Sequence, residues 1–70
     1  MGLLKVNGKE QAFSDEKMPS TVAELLRQLG VDSTTVVAEV DGQIIERKQF
    51  LTTPVHAGQA IELVRFVPGG

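Results

Sequence analysis

One amphipathic helix stands between two hairpin signals, and this arrangement limits the fold more than any other feature of the chain. Val22, Leu25, Leu26 and Leu29 recur at i, i+3, i+4 and i+7, a single apolar stripe on a helix. Thr21 and Glu24 have the spacing of a capping box, in which each side chain satisfies an amide that the helix start leaves free. Gly30 sits where a left-handed C-cap residue belongs, with Val31 placed to fold back onto the last turn. Asn7-Gly8 lies upstream and Asp41-Gly42 downstream. Both dipeptides favour a type I′ turn, because both central positions tolerate positive φ. A helix with one apolar stripe must bury it, and the hairpins supply the sheet.

The strands follow by alternation. Leu4 and Val6 share one face of the first strand, and Lys9 to Phe13 returns. Val36, Ala38 and Val40 share a face of the strand before Asp41, and Gln43 to Ile45 returns. Glu46 to Phe50 reads as a single helical turn leading into Leu51. The last strand puts Ile61 and Leu63 on one face and Glu62, Val64 and Phe66 on the other. The order β-β-α-β-β-β predicts an α+β domain of β-grasp type, a mixed sheet of four to five strands packed on one main helix. Its first strand pairs in parallel with its last. The expected core is Leu4, Val6, Phe13, Val22, Leu25, Leu26, Leu29, Val36, Ala38, Val40, Ile45, Ile61 and Leu63. Residues 1–66 are expected to form the domain and 67–70 a flexible tail.

Composition removes whole classes of function. Seventy residues make one domain, with little room for a substrate pocket and a catalytic apparatus. A net charge of −2 offers no basic field for nucleic acid or an acidic membrane surface. Three phenylalanines, with neither tyrosine nor tryptophan, make no base-stacking platform. No apolar run approaches the ~20 residues of a membrane span, and the start lacks a signal-peptide pattern, so the cytoplasm is the expected location. The absence of cysteine excludes disulfides, zinc-thiolate sites and a thiol nucleophile. His56 lies in the turn-rich stretch Pro54-Val55-His56-Ala57-Gly58 and reads as a solvated loop residue; one histidine builds no clustered metal site. Asp15 and Glu16 read as solvated loop charges, and Ser14, Ser20 and Ser33 have no expected histidine partner. No catalytic residue and no metal site is assigned, and the chain is expected to bind no cofactor itself.

What remains is the segment Pro68-Gly69-Gly70 beyond the last strand. A disordered end, a truncation or a cloning scar would each account for it. A chemical reading is also open. A terminal carboxyl has a pKa near ~3.5, so Gly70 would be an ionised nucleophile at neutral pH. Attack on the α-phosphate of ATP in a partner enzyme, with magnesium offsetting phosphate charge, would give an acyl-adenylate. A sulfur nucleophile could then displace AMP and leave a thiocarboxylate. Two residues without Cβ can thread a narrow channel, and Val67 to Gly70 extended would reach about 13 Å. Val64 and Phe66, with Val37, are expected to form an exposed apolar patch that docks the activating enzyme.

Four segments carry a family resemblance: Val6-Asn7-Gly8-Lys9, Thr21-Val22-Ala23-Glu24-Leu25-Leu26, Val40 to Arg47, and Gly58 through the last strand to Gly69-Gly70. Together they cover nearly the whole chain, which resembles the ThiS group of sulfur carriers within the ThiS/MoaD ubiquitin-like family. The resemblance implies a protein co-substrate rather than an enzyme, monomeric when free, carrying sulfur for the thiazole of thiamine. It implies three partners: an E1-like adenylating enzyme of the ThiF type, a persulfide sulfur donor, and a thiazole synthase of the ThiG type. Delivery to molybdopterin synthase is the alternative within the family. A non-covalent ubiquitin-like interaction module is the alternative outside it. Family members commonly carry an acidic residue where this chain has Gln59, and many thiamine-type members a tryptophan where it has Phe50. Neither position touches the terminal chemistry.

Overall fold

Alternating apolar residues become five strands in the structure, a computed structural model that describes residues 1–66. The elements are β1 (Gly2–Val6), β2 (Lys9–Phe13), α1 (Val22–Leu29), a 3₁₀ turn (Ser33–Thr35), β3 (Val36–Val40), β4 (Gln43–Ile45), a second 3₁₀ turn (Arg47–Gln49) and β5 (Ala60–Arg65). The sheet order is β2-β1-β5-β3-β4. β1 and β5 are parallel neighbours at the centre, and the other pairs are antiparallel. This is the ubiquitin-like β-grasp arrangement, with one helix packed on a mixed five-stranded sheet. Among the described residues, no helix is long and apolar enough to cross a membrane.

Both hairpins form on the dipeptides that predict them. Asn7 and Asp41 each adopt φ 50°, and Gly8 and Gly42 follow at φ 80° and 84°. These are the paired positive φ values of a type I′ turn, whose twist matches that of the flanking strands.

The helix starts and stops where its caps lie. The Thr21 hydroxyl accepts from the Glu24 N–H at 3.2 Å. At the other end Gly30 is left-handed, its N–H bonds to the Arg27 carbonyl, and the Val31 N–H bonds to the Leu26 carbonyl. That double closure satisfies carbonyls the last turn would otherwise leave open. The expected capping box is only half made. The Glu24 carboxylate turns to the Arg27 guanidinium, at 2.6 and 3.1 Å, instead of reaching back to Thr21. The charged guanidinium fork is a stronger donor to the carboxylate than a neutral backbone amide, so it wins.

The first amides of α1 find partners in a distant loop. The Val22 N–H donates to the Thr53 carbonyl and the Ala23 N–H to the Phe50 carbonyl, while the Val55 N–H donates to the Ser20 carbonyl. The stretch from Glu46 to Gln59 is thereby fastened to the helix start, and it carries Phe50 and Val55 into the core. The expected core is corrected here in two ways. Phe50 and Val55 are buried members that alternation does not reveal, because both lie in an irregular loop, where Phe50 is buried and its apolar neighbour Leu51 is not. Phe13, Leu29 and Leu63 are half-buried at the rim. The other ten expected residues are buried.

Candidate functional site

β5 lies at the centre of the sheet and is the strand that leads to residues 67–70. Its backbone is held on both flanks by devices that the two hairpins supply. On the β3 side, pairing runs from Val40↔Ile61 to Val36↔Arg65, and the Phe66 N–H then donates to the Thr35 carbonyl at 2.9 Å. At the lower end, Asp41 continues the ladder past Val40. Its N–H donates to the Ala60 carbonyl and its carboxylate accepts from the Ala60 N–H, at 2.8 and 2.9 Å.

On the β1 side, pairing stops at Val6↔Ile61. There Asn7 takes over. Its N–H donates to the Ile61 carbonyl, its side-chain oxygen accepts from the Leu63 N–H at 2.7 Å, and its side-chain amide donates to the Leu63 carbonyl at 3.3 Å. The asparagine side chain thus stands in for a further strand residue. The asymmetry between the turns has a reason. At position 41 the backbone supplies the donor, so an acceptor-only aspartate suffices. At position 7 the side chain must both donate and accept, which asparagine alone among the turn-forming residues does well.

The face of β5 turned away from the helix carries the expected apolar patch. Val64 is 56% exposed, Phe66 45% and Val37 39%. Val37 and Val64 are directly opposed across β3 and β5, so two of the three expected docking residues touch as a cross-strand pair. The structure adds Ile44, which is 63% exposed on neighbouring β4. Val37, Ile44 and Phe66 line one shallow concavity, with Glu46 and Arg47 at its edge. The signal for Ile44 is in the sequence, since the same alternation that buries Ile45 turns Ile44 outward. A larger depression lies between α1 and the second 3₁₀ turn, lined by Leu26, Arg27, Phe50 and Leu51, but no residue of β5 contributes to it.

Nothing among the described residues competes as a reaction centre. No group of three or more His, Cys, Asp or Glu side chains is placed to hold a metal ion. No hydrogen bond joins His56 to a serine, and Asp15 pairs with the N-terminal ammonium at 2.7 Å rather than with Glu16. The Gln59 side chain accepts from the backbone N–H of His56 at 2.7 Å and closes the turn that opens β5. A carboxylate at this position could accept the same bond. Gly70, Gly69 and Pro68, the expected reactive end and its approach, lie outside the described residues, as does the expected flexible tail.

Asp32 gives the site's neighbourhood a pH signature. Its carboxylate accepts from the Thr34 hydroxyl at 2.7 Å and the Thr34 N–H at 2.9 Å, and these bonds, with Arg47 and Arg65 nearby, hold its pKa below the ordinary value. A depressed folded-state pKa contributes stability above the unfolded value, which is lost as pH falls through the folded one. The melting temperature is therefore expected to fall as pH drops below about 4. Asp32→Ala should make that fall shallower, and equal slopes for the two proteins in thermal melts across acid pH would contradict the assignment.

With this geometry in view, comparison with known proteins is specific. The model of the ThiS family matches residues 4–70. The crystal structure of a thiamine biosynthesis protein (ThiS) from Geobacter metallireducens superposes with a TM-score of 0.81 at 36% identity, over 97% of this chain and 99% of that one. The solution structure of a thiamine biosynthesis protein from the same organism gives 0.75 at 38% identity, over 100% of this chain and 88% of that one. A curated thiazole synthase from Paramagnetospirillum magneticum is 37% identical over 67 residues. That match covers 96% of this chain and 20% of the relative, so the chain spans about a fifth of that protein's length. A family match across nearly the whole sequence, on a fold of the same topology, establishes that the chain belongs to the ThiS family.

Proposed function

We propose that this chain is a sulfur carrier for thiamine biosynthesis, with Gly70 as the carrying residue. The observation behind the reading is the treatment of β5 in a ThiS-family fold. The strand is held on both flanks, to Phe66 on the β3 side and to Leu63 on the β1 side, it carries an exposed apolar face, and in sequence it leads into Pro68-Gly69-Gly70. A firmly held docking body whose sequence ends in two glycines suits a substrate that must enter another protein's active site.

The chemistry belongs to the partners, and this chain is their co-substrate. In an E1-like adenylating enzyme of the ThiF type, the Gly70 carboxylate attacks the α-phosphorus of ATP. Pyrophosphate leaves, and magnesium on the enzyme offsets the charge. The terminal sulfur of a persulfide donor then displaces AMP from the acyl carbon. A thiol cleaves the resulting acyl disulfide and leaves the thiocarboxylate. Dependence on ATP and reduced thiols fits a cytoplasmic setting. A thiazole synthase is the acceptor on this reading. The thiamine branch is preferred to molybdopterin synthesis because each of the structural relatives named above is a thiamine biosynthesis protein, and the curated one is a thiazole synthase. Turnover tests the choice: the thiocarboxylate form should support thiazole formation by a thiazole synthase, and transfer only to a molybdopterin synthase would reverse it.

Val37, Val64 and Phe66, joined by Ile44, form the docking face for the activating enzyme. An apolar cluster on the strand that leads into the Gly-Gly segment can be desolvated by a partner that also receives that segment. Phe66→Ala is expected to weaken binding by about 10- to 100-fold, the range of a well-packed anchor. Because Phe66 is nearly half exposed, its melting temperature should stay near wild type. Unchanged affinity in calorimetry would remove the face from the account.

A further inference from the structure

We propose that Asn7-Gly8 is a covalent modification site, at which loss of the asparagine amide unlatches β5 from the β1 side. Three observations converge on it. Asn7 is exposed at the tip of its hairpin. A side chain added at Gly8 would meet nothing within 4 Å, and among the described residues the Gly8 N–H donates no hydrogen bond. The Asn7 amide group is meanwhile committed to Leu63 through both its atoms.

The step is an intramolecular acyl substitution. The Gly8 amide nitrogen, having lost its proton to solvent base, attacks Asn7 Cγ. The Cγ–Nδ2 bond breaks, ammonia leaves, and a five-membered succinimide remains. Water then adds to either carbonyl and opens the ring to aspartate or isoaspartate. Glycine favours the attack because no Cβ obstructs the approach.

Folding and modification oppose each other here. While both bonds to Leu63 are made, the side chain is fixed and Cγ cannot turn toward the Gly8 nitrogen. When the hairpin opens locally, the constraint is gone. The product cannot restore the latch. An aspartate at position 7 has no donor for the Leu63 carbonyl and sets one oxygen against another, and isoaspartate adds a methylene to the main chain of a two-residue turn. Asp41 serves as the internal comparison, since an acceptor is all that position needs.

The test is ageing of the full chain at mildly alkaline pH, in native buffer and in denaturing urea. Intact mass and the peptide spanning Val6–Lys9 report conversion. We expect the amide-to-acid mass gain to localise to Asn7 and to run about tenfold or more faster in urea, corresponding to an opening free energy of at least about 1.4 kcal/mol. Asn7→Asp should melt below wild type, whereas Asp41→Asn, which keeps its acceptor, should melt close to it. Equal rates in the two buffers, no conversion in either, or an Asn7→Asp protein as stable as wild type would each overturn the proposal. None of these readouts involves sulfur transfer.

Discussion

Leu26→Ala is expected to cost about 2–5 kcal/mol and to leave a large part of the population unfolded at moderate temperature. Leu26 is 1% exposed and sits in mid-helix against the sheet core, in contact with the cluster that includes Leu4, Ile61 and Phe50. Truncation removes its transfer free energy and leaves a cavity, because neighbours held by strand pairing relax only in part. A domain of 70 residues has roughly 4–10 kcal/mol to lose. One core leucine is therefore a large share of the total. Leu29→Ala, at the half-buried end of the same stripe, should cost distinctly less. Urea denaturation compares the two directly, and no loss for Leu26→Ala would contradict the helix-on-sheet packing.

Deleting Gly70, or adding one residue after it, is expected to abolish activation while leaving the fold intact. Each residue of an extended chain spans about 3.3 Å. A shift of that size takes the carboxylate out of reach of the nucleotide phosphate, and a misplacement of ~1 Å can already cost about 100-fold. The stability side follows from where the core ends. All of its buried members lie between Leu4 and Ile61, and the described strand pairing is complete by Phe66. Both length variants should therefore melt with wild type. Retained adenylation by either, followed by pyrophosphate release, would contradict a mechanism that acts at the Gly70 carboxylate.

The parts of this molecule that were legible in its sequence are those governed by local rules. Paired φ preferences marked the turns at Asn7-Gly8 and Asp41-Gly42. The period of the helix found Val22, Leu25 and Leu26, and Thr21 and Gly30 bracketed it. The period of the strands set the outward faces of Val37, Val64 and Phe66. What stayed hidden depends on contacts between distant segments. Phe50 and Val55 are core residues only because helix amides reach the carbonyls of Phe50 and Thr53. Glu24 left its cap for a guanidinium one turn on. Asp41 clamps β5 only because β3 pairs antiparallel with it, and Asn7 does so only through the parallel pairing of the first and last strands. That pairing joins residues more than fifty positions apart.

The central claim is that sulfur is carried at Gly70, and intact-mass spectrometry tests it most directly. The chain is incubated with an E1-like activating enzyme, ATP and magnesium, a persulfide donor and a reducing thiol. The chain has no cysteine, so no side-chain persulfide can imitate the product. The account predicts a mass gain equal to one oxygen replaced by one sulfur, localised by fragmentation to Gly70 and absent without ATP. A chain that stays unmodified with a competent activating enzyme, or that gains sulfur at any other residue, would contradict it.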